Sequence, residues 1–182
     1  MKSSHLSIAV ALLVSLGSIA SAGEFPDEWF FPMNPAQKEK LNAVVGKPMP
    51  ELKLADWMVK ELKPEDYKGK VLVIDVWATW CGPCIASIPK NNAFYKEYSG
   101  KGVEFIGVCS SRGQDKMQEV AEKHAIAYPI AKDPGNATAQ AFGVQFFPTY
   151  IVVDEKGIVR AIGIRPDSVS KVVDKVLAGR KG

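Results

Sequence analysis

Cysteine and histidine are scarce in this chain. Three cysteines and two histidines occur among 182 residues. Three cysteines are too few to scaffold a disulfide-stapled mini-protein, and an odd number leaves one outside any internal pairing. A surplus of one charge is also missing. The 23 Lys and Arg residues face 20 Asp and Glu, and the net +3 gathers in no basic block. That excludes the electrostatic footprint of a nucleic-acid binder. Low-complexity tracts and internal repeats are absent, which removes disordered and fibrous classes. What remains is an ordinary globular composition, 47% hydrophobic and 24% charged, at a length that suits one domain with an appendage.

The N-terminus has the three-part pattern of a secretory signal, over residues 1–22. Lys2 supplies the charge, Leu6 to Ile19 the apolar run, and Ala20-Ser21-Ala22 the small residues, with cleavage expected before Gly23. The run is short of the roughly 20 residues that span a bilayer. Cleavage is therefore favoured over an uncleaved N-terminal anchor. All three cysteines then reside where disulfides can form. Residues 23–45 read as an extension broken by Pro26, Pro32 and Pro35, with a short helix expected over Gln37–Val45. Its rings (Phe25, Trp29, Phe30, Phe31) are expected to pack on the main domain, the alternative being a surface for a partner.

From Gly46 onward the pattern becomes regular. Glu51–Ala55 and Trp57–Leu62 are expected to pair as a hairpin. Val71–Trp77 and Val103–Cys109 are apolar, β-branched runs that read as strands buried on both faces. Residues 82–98 read as a helix interrupted by Pro89, and 115–124 as another. Tyr128–Ala131 is a short strand. A short helix follows at 136–142, with Asn136 as its cap. Thr149–Val153 and Ile158–Ile164 are strands joined by a turn at Asp154-Glu155-Lys156-Gly157. The last helix has Asp167 or Ser168 as cap and Val169, Val172, Val173, Val176 and Leu177 on one stripe. This alternation indicates an α/β sandwich with a mixed sheet, parallel first and antiparallel at its end.

Cys81-Gly82-Pro83-Cys84 follows one of these buried strands and opens a helix. A helix start offers free N–H groups and the positive end of the dipole, which lower a thiol pKa from about 8.5. The thiolate is the species that attacks a disulfide. Cys81 is therefore the expected nucleophile and Cys84, one turn on, the resolving thiol. Pro83 fits a first helical turn, where its missing N–H costs nothing. Such a pair also begins many zinc sites, but zinc needs two more ligands and only Cys109 and His124 remain, so no metal is expected. Cys109 reads as a small buried hydrophobe and His124 as a packing residue.

The segment Val76-Trp77-Ala78-Thr79-Trp80-Cys81-Gly82-Pro83-Cys84 resembles the active-site segment of the thioredoxin superfamily. It is most similar to the secreted TlpA/ResA-type thiol-disulfide oxidoreductases. Gly46-Lys47-Pro48-Met49-Pro50 and Lys68-Gly69-Lys70 resemble that family's N-terminal hairpin. The resemblance implies a thioredoxin-like three-layer sandwich over residues 46–182, with an N-terminal hairpin and a central βα insertion. It implies supporting roles at the site for Trp80, Gly82 and Pro83. It also implies a cis proline at Pro148, with Phe147, Pro148 and Thr149 facing the cysteines and the Phe147 backbone free to pair with a substrate peptide.

Asp75, six residues before Cys81, matches the buried acid of thioredoxins. Among Ile74 and Val76 its pKa is expected to rise, so that it can accept or return the Cys84 proton. Two departures stand out: Ser87 occupies a position where many family members have Glu, and Asp75 one where they commonly have Asn. The strand Val103–Cys109 also lacks the lysine that thioredoxins pair with the acid. The resemblance implies an exported reductant of protein disulfides, with apocytochrome c or other exported proteins as substrates. The redox group is the Cys81/Cys84 couple without further cofactor, and a membrane thiol-disulfide donor recharges it. Location would be periplasmic or otherwise extracytoplasmic. The alternatives are a disulfide oxidase or isomerase, a thiol peroxidase, and a non-enzymatic binding module.

Overall fold

A computed structural model describes residues 24–181. The expected signal at 1–22 lies outside the described residues. Along the chain the elements are α1 (Pro35–Asn42), β1 (Ala55–Met58), α2 (Pro64–Tyr67), β2 (Val71–Trp77) and α3 (Gly82–Tyr98), then β3 (Val103–Cys109), α4 (Met117–Lys123) and β4 (Ile130–Lys132). They continue with α5 (Ala137–Ala141), β5 (Thr149–Val153), β6 (Val159–Ile164) and α6 (Val169–Ala178). Among the described residues, no helix is long and apolar enough to cross a membrane.

The six strands form one sheet in the order β1-β4-β3-β2-β5-β6. β2 pairs in parallel with β3 and antiparallel with β5, and β3 pairs in parallel with β4. All seven residues of β2 and all seven of β3 are buried. Their side chains alternate between two apolar layers, because successive residues of a strand face opposite ways. Val71, Val73 and Trp77 pack with Ile88 and Phe94 of α3, Met117 of α4 and the valines of α6. Leu72, Ile74 and Val76 pack with Leu41 of α1, Ala139 of α5 and Phe142. The result is the expected three-layer α/β sandwich. α4, β4 and α5 lie between β3 and the antiparallel β5–β6 pair, and β4 with α5 is the βα unit that fits the expected central insertion.

Several local expectations are corrected. The N-terminal hairpin does not form. Ala55–Met58 is a lone strand that pairs antiparallel with β4 (Ala55 with Lys132, Met58 with Ile130) across a bulge. Asp56 and Val59 take left-handed backbone, and Lys60 N–H closes a tight turn on Met58 O, so the chain leaves the sheet there. The preceding segment is held by Lys53 N–H donating to Thr138 Oγ1 (2.9 Å) rather than by a neighbouring strand. Asn136 sits at the start of α5 without capping it. Its side chain instead accepts from Ser111 N–H (2.7 Å) and Ser110 Oγ–H (3.1 Å). The cap is Asp133, whose carboxylate accepts from Thr138 N–H and Ala139 N–H at 2.9 and 2.8 Å. Neither Asp167 nor Ser168 caps α6 with its side chain, because a 3-10 turn over Pro166–Ser168 leads into that helix.

The extension is part of the packing, as its rings suggested. Phe25 is buried in the layer that holds α3 and α6, with Trp29 and Phe30 against it. Its helix starts at Pro35 rather than Gln37, capped by Asn34 in a reciprocal box with Gln37. A cleft of about 680 Å³ separates the extension from β6, and none of the cysteines lines it.

Candidate active site

β2 ends at Trp77, and the loop Ala78–Trp80 carries the chain to Cys81, the N-cap of α3. Cys81 and Cys84 are joined as a disulfide, with Cα atoms 5.2 Å apart. Cys81 Sγ accepts a hydrogen bond from Cys84 N–H at 3.2 Å. A free helix-start donor thus points at the first sulfur, and no acid occupies the first turn to oppose it. Cys81 is 6% exposed and Cys84 1%, so the first sulfur is the one substrate can reach.

Trp80, beside Cys81, is 52% exposed, one of the few large apolar side chains left in solvent among the described residues. It is nonetheless held on three sides. Its Nε1–H donates to Arg112 O at 2.9 Å, the Arg112 guanidinium lies 4.9 Å over its ring, and Phe147 meets it edge-on at 5.9 Å. Thr79 Oγ1 donates to Gly113 O at 2.8 Å. Gly113 has φ +78°, and a Cβ there would come within 2.7 Å of Thr79 Oγ1, so only glycine fits under this loop. The Phe147–Pro148 bond is cis. β5 begins only at Thr149, so half-buried Phe147 stands outside the ladder, while Pro148 and Thr149 are buried.

Asp75 is buried on the same face of β2 as Trp77, on the α3 side of the sheet. Its neighbours across the sheet are Gly107 on β3 and Tyr150 on β5. Asn91 Nδ2 donates to Asp75 Oδ2 at 2.9 Å, whereas Oδ1 has no partner among the described residues. Burial pushes the carboxyl from 3.8 up to about 7, against the opposing pull of Asn91 and the neighbouring Tyr150 hydroxyl. The position opposite Asp75, where a lysine could have held the charge, is a glycine. A side chain there would collide with Ile130 (2.8 Å) and crowd Tyr128 (3.1 Å). Ser87, at the family's Glu position, is buried and donates to Pro83 O at 2.9 Å.

Cys109 pairs in register with Trp77 and is fully buried. Burial pushes its thiol up to about 12, which leaves it unionised and inert at neutral pH. His124 closes α4, half-exposed. Among the described residues no group of three or more His, Cys, Asp or Glu gathers as metal ligands would.

The structure thus brings Trp80, Cys81, Gly82, Pro83 and Cys84 together with Phe147, Pro148 and Thr149 at one end of the sheet, with Asp75 buried below. Arg112, Gly113, Asn91, Tyr128 and Tyr150 were not anticipated. Gly113 had a signal in the chain, a glycine just past a buried strand that ends at the same sheet edge.

The Redoxin family profile matches residues 44–177. A thiol-disulfide oxidoreductase ResA of Bacillus cereus is 30% identical over 177 residues, 97% of this chain and 90% of its own. ResA of Geobacillus thermodenitrificans is 32% identical over 124 residues, covering 68% of this chain and 71% of its own. Among solved structures, a thioredoxin-like protein in the oxidised form superposes with a TM-score of 0.63 at 31% identity, covering 72% of this chain and 95% of the other.

Proposed function

The chain belongs to the Redoxin family and is a thiol-disulfide oxidoreductase of the ResA type, and from that premise we propose that it is an exported reductant of protein disulfides. The observation that carries this reading is the Cys81 sulfur, seated at the start of a 17-residue helix with the Cys84 N–H directed at it. Once reduced, Cys81 is stabilised there as a thiolate. It attacks one sulfur of a substrate disulfide, forming a mixed disulfide and releasing the other substrate sulfur as thiolate. Cys84 then gives its proton to the Asp75 carboxylate and attacks Cys81 Sγ. The second substrate sulfur departs, and two electrons have passed from the dithiol to the substrate. The proton on Asp75 is released through the site to the departing thiolates or solvent. Cys81 and Cys84 are thus the redox group, and no further cofactor enters the chemistry.

Trp80, Gly82 and Pro83 shape the entry, and Phe147, Pro148 and Thr149 receive the substrate backbone. A strand-like segment at Phe147 gains main-chain hydrogen bonds there, beside the exposed Trp80 ring. The signal-like residues 1–22 support export, where a disulfide-bearing substrate such as apocytochrome c and a membrane dithiol donor would be met. The test is capture. Reduced Cys84→Ser protein mixed with disulfide-bonded exported proteins should accumulate a mixed disulfide through Cys81. Absence of any such adduct, with the variant folded and Cys81 titratable, would overturn the reading.

A further inference from the structure

A buried polar cluster lies between β2 and α3, the helix whose first turn holds the cysteine pair, and the exchange chemistry itself uses only one member of it. Asn91 lies on the buried stripe of α3 that also carries Cys84, Ser87 and Ile88. Its amide is used at both ends. Nδ2 donates to Asp75 Oδ2 at 2.9 Å, and Oδ1 accepts from Tyr150 O–H at 3.0 Å. Tyr128 O lies 3.4 Å from the same Nδ2. Every one of these groups is buried. A carboxamide fixed by a phenol at one end and a carboxylate at the other has no freedom to turn, because turning would set its oxygen against the Asp75 carboxylate and strip that group of its donor.

We propose that Asn91, locked by Tyr150, is a positioning residue that anchors Asp75 Oδ2 and so makes the unpartnered Oδ1 the oxygen that takes up and returns the Cys84 proton. The proposal rests on the reading of Asp75 as proton acceptor. It assigns to a neutral amide the work that a neighbouring cation would otherwise do. An amide donor favours the ionised carboxylate only modestly, against a strong desolvation penalty. Asp75 is therefore held where both of its protonation states are populated near neutrality, and a facing lysine would have kept it ionised.

The groups that face Asp75 come from every element packed on it. They are Trp77 on its own strand, Gly107 on β3, Tyr150 on β5, Asn91 on α3 and Tyr128 ahead of β4, with Ser87 of α3 beside Tyr150. None is charged. The two phenols are pushed well above their ordinary value, by burial first and then by Asp75 itself, so neither titrates in competition with it.

The experiment follows the Asp75 carboxyl by carbon NMR in the full chain and, in parallel, the pH profile of insulin-disulfide reduction. Asn91→Ala removes the anchor. Tyr150→Phe keeps the ring volume and removes the lock on Asn91 together with the hydroxyl's own pull on Asp75, so it reports even if Asn91→Ala folds poorly. Loss of the donor should raise the Asp75 midpoint by about one unit, with a smaller rise for Tyr150→Phe. The midpoint of the rate profile should move with it. Folded variants whose Asp75 titrates as in the parent would overturn the proposal. A moved carboxyl midpoint with an unmoved rate profile would sustain the anchoring and sink the proton role of Asp75 instead. Asp75→Asn separates the two readings further, since it should remove that limb of the profile altogether.

Discussion

At the scale of single residues, Asp75 carries an electrostatic cost of burial. Its carboxyl is raised from 3.8 to about 7, with burial as the first cause. A raised acid pKa means the folded state holds a proton that the unfolded chain gives up. Stability is then full below the unfolded value and is lost as pH climbs through about 7. A shift of that size corresponds to about 4 kcal/mol at alkaline pH, an order-of-magnitude figure. Asp75→Asn carries no charge to bury. Its denaturant midpoint should exceed the parent's at pH 8 and approach it at pH 4. Parallel midpoint-versus-pH curves for the two oxidised proteins would contradict this. The cysteine pair was legible in the chain as a short motif opening a helix after a buried strand, and the burial of Asp75 was legible from its place inside that apolar strand. Asn91, Tyr150 and Arg112 were not, since the bonds that define them join residues 16, 59 and 32 positions apart. No local pattern encodes such pairings.

At the scale of elements, α5 has only five residues, too few to be stable by itself, so its start has to be held from outside. Asp133 does this. It is fully buried and both of its oxygens accept from α5 N–H groups, while its own N–H donates to Cys109 O at 2.9 Å. The end of β3 and the start of α5 are thereby tied together. Asp133→Ala would leave two donors unpaired inside the protein, at a cost of about 2–4 kcal/mol. Asp133→Asn, which keeps one acceptor, should recover part of it in the same urea titration. An alanine variant as stable as the parent would mean that water satisfies those donors. The capping role escaped sequence reading because Asp133 lies outside the helix by several residues, whereas Asn136 stands at the expected position and is drawn away by Ser110 and Ser111. The contrast with β2, α3 and β3 is instructive. Their bounds were readable residue by residue, because burial on both faces and helical spacing are local properties. The hairpin failed for the opposite reason: which strand Ala55–Met58 joins was decided by the open edge of β4, distant in sequence.

At the scale of the whole molecule, the extension solves the problem of an open sheet edge. β6 is the last strand of the sheet, and an unpaired edge invites association with other chains. Phe31 N–H donates to Gly163 O at one end, and Gly46 N–H to Val159 O at the other, 3.0 and 2.8 Å. α1 crosses between them and drives Leu41, fully buried, into the layer below β5 and β6. Gly163 takes φ +83°, and a Cβ there would meet Leu41 Cδ1 at 3.2 Å, so the strand is shaped to receive the helix. Arg160 adds an ion pair to Glu24 across the same seam. Leu41→Ala empties a site that β6 and α1 share and should cost about 2–5 kcal/mol. If the extension folds with the sheet, that loss lowers the midpoint of one cooperative urea transition and leaves its slope unchanged. If the extension were an appendage, the variant would lose α1 in an early separate transition while the sheet kept the parent's midpoint. Fluorescence and far-ultraviolet circular dichroism distinguish the two when Trp29→Phe is measured beside the parent, since that variant leaves Trp57, Trp77 and Trp80 to report the domain alone. Coincident curves shifted together are the expected result, because Leu41 and Phe25 place the extension in both layers of the core.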